Sequence, residues 1–132
     1  MPSVEEAGEK MIDIVACIEI EPKGKARPRV TKNGTFMPDD YRAWKHRLGM
    51  LMLAHRGKAE LPIKGPVRIG TIFYTPSGSC RSDLDNSHAA VLDALQDAGW
   101  ILNDRQVKAG VYAIERRPTP MLSIRIQSIP NP

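Results

Sequence analysis

The first regular pattern in the chain, residues 11–21, alternates between apolar and polar side chains. Successive side chains of an extended chain point to opposite faces, so the alternation predicts a strand with one buried face. Residues 66–74 alternate in the same way and predict a second strand, and residues 106–115 and 121–129 are two further strand candidates. The side chains of the first strand that are predicted to face the core are Ile12, Ile14, Ala16, Ile18 and Ile20.

Two other stretches follow the period of a helix. Residues 39–56 repeat apolar side chains at three- and four-residue spacing, and Asp39 or Asp40 is suited to cap the first turn. Residues 86–98 are rich in alanine and leucine, and Gly99 is a typical helix end. The predicted core positions are Tyr41, Trp44, Leu48 and Leu51 in the first helix and Ala90, Val91, Ala94, Leu95 and Ala98 in the second. The residues predicted to share a basic face of the first helix are Arg42, Lys45 and His46.

In chain order these elements are strand, loop, helix, strand, helix, strand and strand. That order predicts an α+β fold, a single domain in which a mixed β-sheet of about four strands packs with two main helices. With 132 residues, of which 42% are hydrophobic, the chain has enough apolar side chains for one core. We assign residues 11–132 to this domain and residues 1–10 to an N-terminal extension.

The segment between the first strand and the first helix, residues 22–38, contains two glycines, three prolines and no acidic residue. It is predicted to be a long loop, with a short hairpin around Asn33 and Gly34. A cationic loop with glycine allows close approach to phosphates, although a solvated loop without a partner has the same composition. The cations of this basic loop are Lys23, Lys25, Arg27, Arg29 and Lys32.

The overall composition narrows the choice of partners and compartment. Lysine and arginine outnumber the acidic residues by 19 to 15, and this excess favours polyanionic partners such as nucleic acid, although an ordinary basic protein looks the same. Cys17 and Cys80 lie far apart, which argues against a zinc knuckle or a disulfide framework. No apolar run has membrane-spanning length and the first residues are acidic, so we expect a cytoplasmic protein without membrane contact.

The motif RSDLDN places Asp83 and Asp85 just before the second predicted helix. Phosphodiester hydrolysis needs an activated water and a stabilised leaving oxygen, and Mg²⁺ ions held by carboxylates provide both. If the segment is extended, the two aspartates point to one side and can share a cation. Alternatively, Asp85 caps the helix and Asp83 is a solvated loop residue. Asp104, in WILNDRQV, is a candidate third ligand or a turn residue.

Several segments in the same order resemble the RusA family of Holliday junction resolvases, which are common in phages and prophages. The segments are KGKARPRVTKNGTFMPDDYRAW, RSDLDN, AAVLDAL and AGWILNDRQV, and the resemblance covers roughly residues 18–126. Several motifs in the right order and spacing are far more specific than two aspartates alone.

The resemblance implies a homodimeric endodeoxyribonuclease of DNA recombination and repair that makes paired nicks in four-way junctions. It implies dependence on Mg²⁺, with Mn²⁺ as a substitute, and no small-molecule cofactor. It also implies that Asp83, Asp85 and Asp104 are catalytic and metal-binding, and that the basic loop lies beside them. The residues then expected to bind DNA are Lys23, Lys25, Arg27, Arg29 and Lys32. The motif positions expected to cap and support the helix are Asn86 and Asp93, whereas Gln106 matches the motif without an assigned role.

The chain departs from the family pattern at two positions. Family members commonly carry a lysine four residues after the second aspartate, where this chain has Ala89. A cation there would steady the phosphate, so its loss predicts reduced activity unless His88, Lys45 or Lys108 replaces it. The alternative for His88 is an exposed helical residue without a role. Asn103 stands where the family often has an acid, which keeps an oxygen ligand but removes a charge.

Three other functions remain open from the sequence. The missing lysine is compatible with a junction-binding protein whose catalysis is weakened or lost. A nuclease selective for flaps or forks would keep the metal site and differ in substrate. A plain metal-binding or scaffolding module would use the acids as helix caps and would lack salt-sensitive DNA affinity.

Overall fold

The structure is a computed structural model that describes residues 11–130, so the predicted extension at residues 1–10 lies outside the described part of the chain. The elements in that part are, in order, β1 (Asp13–Ile18), β2 (Arg29–Thr31), β3 (Gly34–Phe36), α1 (Asp39–Leu53), β4 (Val67–Thr75), α2 (Leu84–Asp97), a 3₁₀ turn (Asp104–Gln106), β5 (Val107–Ala109), β6 (Tyr112–Arg116) and β7 (Met121–Ser128). None of the described helices is long and apolar enough to cross a membrane.

Five of the strands form one mixed sheet. β7 lies between β1 and β4 and pairs antiparallel with both, whereas β5 and β6 pair parallel with β4. The α+β class, with two main helices around one core, is confirmed. The strand predicted at residues 106–115 is divided into β5 and β6 around Gly110, whose backbone packs too tightly against the Ile69 carbonyl for any side chain to fit. The sheet therefore has five strands instead of about four.

The core lies between the sheet and the two helices. In the register of the sheet, Ala16 of β1 and Thr71 of β4 flank Ile124 of β7, and all three are buried. The side chains of the first strand that were predicted to face inward lie in this core or pack against it, so the predicted alternation is confirmed. Side chains of α1 and α2 belong to the same core. Removal of this apolar surface from water is the main driving force for packing the helices on the sheet.

The starts of both helices differ from their predictions. Pro38 occupies the N-cap position of α1, so neither predicted aspartate caps that helix. α2 begins at Leu84, earlier than predicted, and the predicted stop at Gly99 is confirmed, because this glycine follows the C-cap residue with a φ of 82°. Because α2 begins at Leu84, the two aspartates of RSDLDN belong to the helix start and not to an extended strand.

The buried face of α1 departs from its prediction in the last turn. Tyr41, Trp44 and Leu48 are buried as predicted, but Leu51 is 42% exposed and the buried side chain of that turn is Met52. Successive helical residues are about 100° apart, so only one of the two neighbours can face the core here. The prediction of Leu51 as a core residue was wrong.

Lys45 also lies on the buried side of α1 and not on the predicted basic face. Its ammonium donates to Asp93 Oδ2 at 3.2 Å and to Asp97 Oδ2 at 2.6 Å, and the Tyr41 hydroxyl donates to Asp93 Oδ2 at 2.8 Å. Burial lowers the pKa of Lys45, but the hydrogen bonds to Asp97 and Asp93 outweigh burial and raise the pKa above its ordinary value. The network ties α1 to α2, which fits the expected role of Asp93 in supporting the helix.

Candidate functional site

The two aspartates of RSDLDN stand at the first turn of α2. Asp83 occupies the N-cap position with extended backbone, and Asp85 lies within the first turn. Both side chains are exposed, and Asp83 makes no capping hydrogen bond. Asp85 Oδ1 accepts the N–H of Asn86 at 2.9 Å. The predicted cap by Asp85 and the predicted extended arrangement were therefore wrong, yet both carboxylates are presented to solvent at one end of α2.

The basic loop lies beside these carboxylates. One groove is lined by residues of the loop and of the start of α2, namely Lys25, Ala26, Arg27, Pro28, Met37, Asp83, Asp85 and Asn86. Two of the predicted DNA-binding cations thus meet two of the predicted metal ligands, although they are far apart in the sequence. A groove with both signs of charge is suited to hold a phosphate against cations and a divalent ion against carboxylates.

The start of the basic loop is attached to α1. Trp44 Nε1 donates to the Glu21 carbonyl at 2.9 Å, and Lys23 Nζ donates to Asp40 Oδ2 at 2.7 Å. The Lys23 ammonium, through this hydrogen bond, holds the pKa of Asp40 below its ordinary value. This ion pair weakens the prediction that Lys23 contacts DNA, because the charge of Lys23 is already paired within the chain.

The next residues of the loop are attached to α2. The Lys25 N–H donates to the Asn86 carbonyl at 3.3 Å, and Asn86 Nδ2 donates to the Lys25 carbonyl at 3.4 Å. Gly24 lies against Ser82 and Asn86 with no space for a Cβ. No sequence pattern predicted this contact, although a glycine between two lysines is the local signal that could have indicated it.

The remaining cations of the loop lie on a hairpin, as predicted. β2 and β3 pair antiparallel around Asn33 and Gly34, and Gly34 has a φ of 124°. Arg29 lies in β2 and Lys32 in the turn, and both are exposed. Neither lines the groove, so any contact of these two residues with DNA lies beyond the carboxylates.

Asp104 lies at the opposite end of α2 from the other two aspartates. Its N–H donates to Gln96 Oε1 at 3.0 Å, next to the last turn of the helix. The helix between Leu84 and Gln96 spans about 18 Å, at about 1.5 Å per residue. Among residues 11–130, no three acidic, histidine or cysteine side chains are grouped so that they could hold one metal ion. A single chain therefore does not assemble the three predicted aspartates.

The 3₁₀ turn at that end is held by side-chain contacts. The Asn103 side-chain oxygen accepts the N–H of Arg105 at 2.8 Å and so caps the turn. Gln106 Oε1 accepts the Asn103 N–H at 3.1 Å, and its Nε2 donates to the carbonyls of Ile63 and Gly65 at 2.8 Å each. The Asn103 oxygen predicted as a ligand is engaged in capping, and Gln106 joins two segments of the fold.

The three residues considered as substitutes for the family lysine all lie outside the groove. His88 is buried, with Nδ1 2.8 Å from Thr71 Oγ1 and its ring stacked on Tyr112. Burial lowers the pKa of His88 and favours the neutral imidazole, so neither the phosphate donor nor the exposed residue of the sequence prediction fits. Lys45 is paired between the helices, and Lys108 lies in β5, next to the 3₁₀ turn.

The loop before the aspartates, residues 76–82, is braced by the end of β6. Arg116 Nε donates to the first carbonyl of this loop at 3.1 Å. The Arg117 guanidinium lies over the Tyr74 ring, 4.1 Å from its centroid. The two arginines thus support the end of β4 and the start of the segment that leads into the groove.

Comparison with known proteins identifies a family. The family profile described as "Endodeoxyribonuclease RusA" matches residues 19–127, most of the chain. No curated protein matches the sequence. A solved structure of GDP-form protofilaments of TubZ from Bacillus thuringiensis serovar israelensis aligns at 12% identity with a TM-score of 0.44, which is too low to support any argument. That alignment covers 91% of this chain and 26% of the TubZ chain, so this chain spans about a quarter of its length.

Proposed function

The chain belongs to the RusA family of endodeoxyribonucleases, and we therefore propose that it resolves four-way, or Holliday, DNA junctions by paired symmetric nicks. The observation that supports this proposal best is the groove that Lys25 and Arg27 share with Asp83 and Asp85. Hydrolysis of a DNA strand needs cations that hold the backbone and carboxylates that hold a divalent ion, and both groups line this groove.

Asp83 and Asp85 are the proposed ligands of Mg²⁺, with Mn²⁺ as a substitute. Their donor set fits a hard divalent cation, since both offer carboxylate oxygens, both are exposed, and Asp83 makes no capping hydrogen bond. When bound, such an ion supplies water activation and neutralises charge at the scissile phosphate. The protein itself provides no activated nucleophile in this proposal, so no covalent enzyme intermediate forms.

The basic loop binds and orients the DNA. Lys25 and Arg27 contact backbone phosphates beside the carboxylates, and Arg29 and Lys32 extend the contact along the hairpin. Phosphate contacts position a strand without reading its bases. Preference for junctions then comes from the shape of the branched substrate, which a twofold protein matches better than a linear duplex does.

The protein acts, in this proposal, as a homodimer in which each site takes its third carboxylate from the second copy. Asp104 lies about one helix length from Asp83 and Asp85, too far to share their cation within one chain. A twofold axis that sets two α2 helices antiparallel would bring the Asp104 end of one copy to the Asp83 end of the other. Two equal sites would then make the two nicks.

The experiment that tests this function is cleavage of an immobile and a branch-migrating four-way junction by purified protein. A matched duplex, a flap and a fork serve as control substrates, each incubated with Mg²⁺, Mn²⁺ or EDTA. Paired, symmetric and metal-dependent nicks in the junctions support the proposal. Equal cutting of the duplex, or cutting of flaps and forks in preference to junctions, would contradict it.

A second candidate, a junction-binding protein with weakened catalysis, is favoured by one observation. Ala89 stands at the position of the family lysine, and none of the three considered substitutes lines the groove. Loss of one well-placed donor to a transition state costs about 3 kcal/mol in other enzymes. Tight, salt-sensitive junction binding without cleavage in any metal would identify this function, and recovery of cutting in Ala89→Lys would assign the defect to the missing cation.

A further inference from the structure

Gly24 is the point at which the basic loop touches the start of α2. A Cβ at this position would lie 2.6 Å from both Cβ and Oγ of Ser82 and 2.8 Å from Nδ2 of Asn86. Gly24 is not among the glycines with positive φ, so a left-handed backbone is not the reason for glycine here. The reason is close approach, because any side chain would push the loop away from the helix.

Asn86 connects the loop to the aspartates. Its carbonyl accepts the Lys25 N–H at 3.3 Å, and its Nδ2 donates to the Lys25 carbonyl at 3.4 Å. Its own N–H donates to Asp85 Oδ1 at 2.9 Å. Asn86 therefore contacts the loop through two hydrogen bonds and a proposed metal ligand through a third.

Ser82 is held in position by its contact with α2. Its hydroxyl lies 2.7 Å from the hydroxyl of Ser87, which is completely buried on α2. The Ser87 N–H donates to the Asp83 carbonyl at 2.9 Å in the first turn of the same helix. If Gly24 gained a side chain, the displacement would fall on the loop and not on Ser82.

We propose that Gly24, Ser82 and Asn86 form a loop clamp, a set of positioning residues that fixes the distance between the loop cations and the carboxylates of the groove. The proposal rests on the nuclease function proposed above and assigns the loop clamp no direct contact with DNA or metal. Lys25 follows Gly24 and Asp83 follows Ser82, so the loop clamp joins the two halves of the groove where each begins.

The loop clamp is expected to act on the rate of cutting more than on binding. A phosphate held by the loop is in register with the carboxylates only while the loop stays against α2. Misplacement of reacting groups by about 1 Å can cost about 100-fold in rate. The exposed cations, in contrast, still attract DNA when the loop has moved, because that attraction is long-ranged and needs no fixed geometry.

The test compares Gly24→Ala, Ser82→Gly and the double variant on a four-way junction. Gly24→Ala keeps every cation and carboxylate but pushes the loop away from α2. We therefore expect kcat at saturating junction to fall at least about tenfold. The junction Kd and its salt dependence are expected to change little. Ser82→Gly removes two of the three crowding atoms, so the double variant is expected to recover kcat to the level of Ser82→Gly alone.

A wild-type kcat in Gly24→Ala would overturn the loop clamp, as would a parallel loss of kcat and junction affinity. A double variant slower than Ser82→Gly alone would overturn it too, because the crowding would then not be the cause. Thermal unfolding verifies that each variant is folded. If Gly24→Ala does not fold, Asn86→Ala replaces it, since it deletes the side-chain hydrogen bond without added bulk, and the same loss confined to kcat is expected.

Hydrogen exchange without DNA separates failure of the loop clamp from failure of the proposed function. A wild-type protein that cuts no junction would refute the function and leave the loop clamp to be judged by exchange at the Lys25 amide. Faster exchange in Gly24→Ala that Ser82→Gly reverses supports the loop clamp. Unchanged exchange at Lys25 would overturn it, whether or not the protein cuts DNA.

Discussion

Asp83 holds the position of a helix cap without using its side chain as one. An N-cap aspartate ordinarily accepts a backbone N–H of the first turn, but the Asp83 carboxylate makes no such hydrogen bond. The helix N-terminus still favours its negative charge, through the aligned peptide dipoles. The Asp83 carboxylate is therefore not engaged in capping, which suits its proposed role as a ligand for a divalent cation.

We expect Asp83→Asn and Asp85→Asn each to abolish junction nicking in Mg²⁺ while leaving junction affinity nearly unchanged. Each substitution keeps the side-chain size and removes one negative charge from the cation site, whereas the cations of the basic loop stay in place. Nicking of a labelled junction and gel-shift titration measure the two properties on one preparation. Loss of binding by a folded variant would contradict the assignment of these residues as metal ligands.

His88 illustrates how burial changes what a titratable residue can do. Burial lowers its pKa from the ordinary 6.5, so below that pH the unfolded chain binds a proton that the folded chain resists. The contribution of neutral His88 to the free energy of unfolding is therefore present above about pH 6.5 and is lost as the pH falls through the lowered pKa of the folded state. We expect the denaturant concentration at the unfolding midpoint to decrease as the pH is lowered below 6.5. This decrease is expected to be smaller in His88→Gln.

The matched control for His88 is His46→Gln, since His46 is exposed on α1. Denaturant unfolding of the wild-type protein and both variants between pH 5 and 8 would measure the effect. An acid slope that is equal in all three proteins would show that His88 is not the residue responsible.

The basic loop has the composition of a mobile segment but is held at several points. Lys23 and the Glu21 carbonyl attach it to α1, and Gly24 and Lys25 attach it to α2. Its cations therefore differ in their environment. Lys25 and Arg27 line the groove, whereas the charge of Lys23 is paired within the chain.

This difference predicts unequal effects on DNA binding. The variant Lys25→Ala/Arg27→Ala/Arg29→Ala is expected to weaken junction binding and to lower the slope of log K against log salt by up to about three, one for each phosphate contact. Lys23→Ala, the matched control, is expected to lower the slope less, because Asp40 already neutralises its charge. Junction titrations over a range of salt concentrations give the slopes. A slope unaffected by the triple substitution would remove the loop from the interface.

The length of α2 separates Asp104 from Asp83 and Asp85 within one chain. Asp83 and Asp85 lie at its start and Asp104 lies beside its end, so one chain presents the proposed metal ligands as two incomplete sets. Two copies related by a twofold axis could complete both sets at once. The same symmetry fits a branched substrate that requires two cuts.

Mixing two inactive variants tests this arrangement. Asp83→Asn/Asp85→Asn and Asp104→Asn are each expected to be inactive alone. In a mixed dimer one of the two sites receives all three native carboxylates, so single nicks in the junction are expected to return. A mixture that forms heterodimers by native mass spectrometry yet stays inactive would contradict a shared site.

Most of the elements follow from patterns that are local in the sequence. The alternation that ends at Ile18 and Ile20 identified a buried strand face, and Asn33-Gly34 identified a hairpin. RSDLDN and the segments around it were also sufficient to indicate the family. Such features are predictable because side-chain period, turn chemistry and motif spacing depend on residues that are neighbours in the chain.

Contacts between distant segments could not be predicted in this way. Lys45 has the charge of a surface residue but lies against α2, and Asp104 belongs to the same family pattern as Asp83 but lies at the far end of that helix. Gly24 meets Ser82 although no pattern relates them. Which surfaces meet depends on all elements packing into one core at once, and that arrangement places the cations of the loop beside two aspartates and leaves the third apart.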